Sequence, residues 1–162
     1  MKWATRKGVR LDRSACVWLI KNYLDSDPEI VYLDAADLKS EAESGAQVFH
    51  DTVSEDATTR ERISFQELLA RSERARTDHA LAFMGEILRG AETKEPDSVE
   101  EAEGLRAIAK GMSSLAKSDQ EMVQNMTIVF DALYEYCKRR VAGQHHWANA
   151  ESPGETVSPS QR

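Results

Sequence analysis

The sequence predicts a helix-rich α/β protein: a small three-stranded parallel sheet from an N-terminal β-α-β-α-β unit, packed against a mainly helical C-terminal part. Two observations carry this. In the first 51 residues, three short apolar runs alternate with two helical segments, an order that favours parallel pairing through right-handed crossovers. From Ser64 onward, apolar residues recur at helical spacing behind a series of capping residues.

The first strand is read at Lys2–Thr5, followed by the charged loop 6–11. Asp12 is a good N-cap for a helix over Arg13–Leu24, in which Cys16, Leu19, Ile20 and Tyr23 take i, i+3, i+4, i+7 positions on one buried face. Pro28 disfavours helix at the residue before it, so the chain leaves the helix at 25–28. Glu29–Leu33 (EIVYL) reads as the second strand and Ala36–Ser44 as a short helix stopped by Gly45. Ala46–Asp51 reads as the third strand. A loop rich in Ser, Thr and charge follows over 52–63.

Ser64 caps a predicted helix through Arg74, with Glu67 completing a capping box. Asp78 caps a second, with Leu81, Met84, Ile87 and Leu88 inward and Gly90 at its end. Ser98 caps a third, with Ala102, Leu105, Ile108 and Ala109 inward. Asp119 opens the longest, to about Val141, with Met122, Met126, Val129, Leu133, Tyr136 and Cys137 on one stripe. These segments form one domain over 1–141, and the Pro-, Gly- and Ser-bearing residues 142–162 read as a flexible tail.

At 162 residues, 41% hydrophobic and 30% charged, the chain is long enough to bury a core without staples. A net charge of −7 argues against direct binding to nucleic acid or an anionic membrane surface. Two cysteines build no disulfide framework, and no run approaches a membrane span in length, so a cytoplasmic location is expected.

Chemistry concentrates at the first strand-to-helix junction. Arg6, Lys7, Arg10 and Arg13 fall close together in an otherwise acidic chain, beside a helix start whose free N–H groups favour an anion. Arginine can hold two oxygens of a tetrahedral oxyanion at once. The plainer alternative is a set of solvated charges around a cap, since Asp12 competes for the same N–H groups. Cys16 reads either as a thiolate favoured by that positive surround or as a small core residue. His50-Asp51 ends the third strand, at the carboxyl edge where parallel sheets collect ligands. A lone His-Asp step lacks the further ligands of a metal site, and no sequence pattern names a cofactor.

Asp12-Arg13-Ser14-Ala15-Cys16-Val17-Trp18-Leu19-Ile20 resembles the D-R-x-A-C-P-W-L-I signature of the bacterial chromate-resistance domain, the C-terminal half of ChrB-type chromate regulators. Trp3-Ala4-Thr5-Arg6, Ile87-Leu88-Arg89-Gly90-Ala91-Glu92, Gly104-Leu105 with Gly111-Met112-Ser113, and Asp131-Ala132-Leu133-Tyr134-Glu135-Tyr136-Cys137 are similar to later motifs in the same order. Val17 stands where the family has Pro. Thr58 and Ile63 stand where its H-R-G-x-x-C-x-F loop has His and Cys, which weakens any metal or redox role.

The resemblance implies a sensing or binding domain for chromate or a related oxyanion, acting in regulation or resistance, with a possible protein partner. Its ligand-binding set would be Arg6, Arg10, Asp12, Arg13, Cys16, Trp18, His50, Asp51, Asp131 and Tyr134. Arg13→Ala is then expected to weaken anion binding while leaving the protein folded. The alternative is a small thiol- or metal-assisted enzyme using Cys16.

Overall fold

The structure, a computed structural model, describes residues 1–49, 64–93 and 99–143. It has the predicted architecture. Three parallel strands, β1 (Lys2–Arg6), β2 (Glu29–Leu33) and β3 (Gln47–Val48), lie in the order β2-β1-β3. Trp3 of the central strand pairs with Ile30 on one side and Gln47 on the other. Seven α-helices accompany the sheet among the described residues: α1 (Leu11–Leu19), α2 (Ala35–Glu43), α3 (Ser64–Arg71), α4 (Glu73–Arg76), α5 (His79–Thr93), α6 (Glu101–Leu115) and α7 (Asp119–Val141).

The centre of the molecule is α1, every residue of which is buried. It packs against α3, α5 and α7. Around it Leu19, Phe65, Leu68, Leu81, Met84, Ile87, Leu88, Met122, Met126 and Phe130 close one apolar core. Phe130 belongs to that core although the sequence stripe on α7 passes it by.

Several boundaries depart from the sequence expectation. After Leu19 the helix widens into one π-helical turn, Ile20–Leu24, closed by the Asp25 N–H donating to the Ile20 carbonyl at 2.8 Å. Ser72 accepts from the Ala75 N–H at 3.2 Å and starts α4 as a new helix, so the segment expected to run from Ser64 to Arg74 is divided. Helix α5 continues three residues past Gly90, because the Gly90 and Ala91 carbonyls find the Arg106 guanidinium at 2.7 Å each. Ile108 faces solvent, not the core. Strand β3 is shorter than 46–51.

Other signals are met as read. Gly45 adopts φ +96° and ends α2, with its N–H donating to the Ala42 carbonyl and the Ala46 N–H to the Glu41 carbonyl. Asp78 caps α5 through the Ala80 and Leu81 N–H groups at 2.8 and 3.0 Å. The expected cap Ser98 and the tail over 144–162 lie outside the described residues. Among the described residues no helix is long and apolar enough to cross a membrane.

Candidate functional site

The junction between β1 and α1 is built by internal neutralisation. Gly8 turns the loop at φ +77°, a conformation that side chains with a Cβ rarely take. The Lys7 N–H donates to the Leu33 carbonyl at 2.8 Å, holding the loop to the end of β2. Arg13 is only 5% exposed, and its guanidinium donates to the main-chain carbonyls of Arg6 and of Gly8, the latter at 2.7 Å. From the other side the Asp119 carboxylate accepts the N–H groups of Gly8 at 3.1 Å and Val9 at 2.6 Å. The Lys7 ammonium pairs with Asp34 at 2.9 Å.

Two further carboxylates occupy the helix starts. Glu92 accepts the Asp12 N–H in the first turn of α1 at 3.0 Å. Asp12 does not cap its own helix, which corrects the sequence reading. Its side chain crosses to α3 and accepts the Ser64 and Phe65 N–H groups at 2.9 and 3.0 Å. The physical reason is that Arg10 holds the N-cap position of α1, leaving Asp12 inside the first turn and pointing away from it. Burial pushes the Asp12 carboxyl up to about 6, against the lowering effect of the two N–H bonds.

The remaining predicted residues divide into three groups. Cys16 is fully buried, with its Sγ 3.9 Å from an Asp12 carboxylate oxygen. Core position and a neighbouring carboxylate both disfavour a thiolate there, so the thiol-assisted alternative gains no support. Cys137 is also buried and free, and burial raises its thiol to about 12.

Trp18, Asp131 and Tyr134 meet in a second cluster. The Trp18 indole N–H donates to Asp131 at 2.7 Å and the Tyr134 hydroxyl donates to Asp78 at 2.6 Å. Tyr23 and Phe130 complete an aromatic group with ring centroids 5.7 to 6.5 Å apart, with Arg74 set over Tyr23 and Lys138 over Tyr134. Burial, followed by the bond to Asp78, holds the Tyr134 hydroxyl well above the usual phenol range. These contacts tie α1 and α5 to α7.

His50 and Asp51 lie outside the described residues. Phe49 donates its N–H to the Ala4 carbonyl at 3.1 Å, which brings the chain just ahead of them alongside β1. Nearby, the Thr5 hydroxyl is buried with no hydrogen-bond partner among the described residues. Among the described residues no three His, Cys, Asp or Glu side chains converge as metal ligands.

Arg10 differs from the rest of the basic group. It is exposed, and while its carbonyl accepts the Ser14 N–H at 3.1 Å, its guanidinium makes no hydrogen bond or ion pair with any described residue. It stands between two clefts. One, of about 410 Å³, is lined by Arg10, Glu92, Arg106, Lys110, Ser113 and Ser114 over a floor of Leu11, Ala91 and Ala109. The other, of about 380 Å³, runs past Gly8 and Val9 towards Lys117 and Ser118. Arg106, Lys110 and Ser113 are at i, i+4, i+7 on α6. That polar face is visible in the sequence, but its position opposite Arg10 is set by tertiary packing.

Residues 3–137 match the family described as ChrB, C-terminal domain. The chain belongs to the ChrB C-terminal domain family. This ChrB-type domain is also similar to Protein ChrB of Cupriavidus metallidurans, at 29% identity over 135 residues. The match covers 83% of this chain and 40% of that protein, so the chain spans well under half of its relative. No solved structure matches it. The matched span runs from Trp3 to Cys137 and takes in the β1–α1 junction, the Arg10 clefts and the Trp18 cluster.

Proposed function

We propose that this ChrB-type domain binds chromate or a related oxyanion at the basic junction and serves as a sensing element in chromate resistance or its regulation. The observation that carries this reading is Arg10: an exposed guanidinium without a partner among the described residues, facing a cleft it shares with Arg106 and Lys110. Lys7 and Arg13 have internal acceptors. Arg13 shapes the loop through carbonyls, and Asp119 and Glu92 take up loop and helix N–H groups. Arg10 can therefore turn to an incoming anion without breaking a contact that holds the fold. A planar fork with permanent charge suits a tetrahedral dianion, and Lys110 adds a second positive charge across the cleft.

The test is a calorimetric titration of the purified chain with chromate, sulfate and phosphate. Saturable binding is expected, and Arg10→Ala should weaken it about tenfold or more, as expected for one lost charge-assisted contact, with no change in the thermal midpoint. Arg13→Ala should behave in the opposite way, lowering the midpoint because it releases the Arg6 and Gly8 carbonyls. This reverses the expectation that the Arg13 substitution spares the fold. Absence of saturable binding, or full affinity in Arg10→Ala, would overturn the proposal.

A further inference from the structure

Helix α6 has a second face that no described residue covers. Ile108 and Leu115 are 48% and 69% exposed, while Ala102, Leu105 and Ala109 of the same helix are buried. Gly104, Ile108, Gly111 and Leu115 follow one another at steps of four, three and four, which sets them in a single stripe along the helix. The two glycines have ordinary helical backbone, and a Cβ at either would meet nothing within 4 Å. Glycine inside a helix is less favourable than alanine, and neither of these has a compensating contact among the described residues.

We infer that this face pairs with the same face of a second copy of the chain, antiparallel, about a twofold axis between Ile108 and Gly111. The stripe is self-complementary only in that direction. Reversed against itself, it sets Ile108 opposite Gly111 of the second copy and Leu115 opposite its Gly104, so each large side chain meets a hollow. A parallel pair would put isoleucine on isoleucine and leave gaps at both glycines. Charge favours the same direction. Glu101 and Glu103 are engaged within the chain by Tyr136 and Arg106, but the exposed Glu100 at the start of α6 comes near the level of Lys117, just past the end of α6 in the second copy. Opposed helix dipoles add to this.

The stripe spans eleven residue steps, about 16 Å, which makes a narrow contact and a dimer that dissociates on dilution. Arg106 and Ser113 project from the other side of α6, so the Arg10 cleft stays open in the pair and the two proposals stand or fall separately.

Sedimentation velocity of the full chain over a dilution series tests the pairing. The weight-average coefficient is expected to move from dimer to monomer on dilution. Ile108→Glu should be monomeric throughout, with an unchanged far-ultraviolet circular dichroism spectrum. Gly111→Leu should weaken the dimer by about tenfold or more, since it fills the hollow that receives Ile108. Non-specific apolar association would instead be strengthened by that leucine. A wild-type chain that is monomeric at every concentration, including one whose own residues 144–162 cover the face, overturns the inference. So does a dimer that survives Ile108→Glu or tightens with Gly111→Leu.

Discussion

Asp12 is the most constrained acidic group at the junction, only 5% exposed and yet bonded to two N–H groups at the start of α3. Its environment makes the charged form costly. Burial acts first, and nearby Glu92 adds to it. Because the folded value, about 6, lies above the ordinary 3.8, the folded protein holds a proton through that window which the unfolded chain has released. The Asp12 contribution to stability is therefore greatest at low pH and falls as pH rises from 3.8 to about 6, by on the order of 3 kcal/mol. Asp12→Asn keeps one acceptor oxygen and removes the titration. Its stability relative to wild type should rise between about pH 4 and about pH 7, and a difference that stays flat in urea titrations across that range would refute the assignment. The sequence marks Asp12 as a cap because Asp beside an amphipathic run has that chemistry. Which helix it caps depends on a partner 52 residues away, and no local pattern encodes that.

At the scale of elements, local signals served best where the partner is also local. Glu29–Leu33 is a strand as read, Gly45 ends α2, and Asp78 starts α5. A longer-range contact lies behind one departure, since Arg106 prolongs α5 past Gly90. Helix α7 opens at Asp119 as read, with Ser118 as its N-cap accepting from the Glu121 N–H at 3.1 Å. Asp119 is thereby freed to hold Gly8 and Val9, on a loop 110 residues earlier in the chain. Asp119→Ala should cost about 1.5–3 kcal/mol in urea denaturation, as for hydrogen bonds to a charged acceptor, and should speed amide exchange at Val9. Unchanged protection at Val9 would show that the loop keeps its path without the carboxylate. The candidate cleft was half legible. The basic loop and the polar face of α6 both stand out in the sequence, but only packing sets them opposite each other.

For the whole molecule, the sheet and the helical part are joined by contacts that span most of the chain. Asp119 holds the β1–α1 loop, Asp131 receives Trp18, and Asp12 reaches Ser64. Neither half can open without breaking bonds that the other half supplies. Near- and far-ultraviolet circular dichroism should therefore follow one coincident thermal transition, and two separated transitions would contradict that coupling. The Arg13 clamp has a further consequence, for how such a domain can vary between lineages. Its two acceptors are main-chain carbonyls, which every amino acid provides. With Gly8 kept for its backbone angle, the exposed side chain at position 10 can be exchanged without redrawing the loop that carries it. Surface chemistry at position 10 and architecture are thus separate traits in this fold, and one can diversify while the other stays fixed.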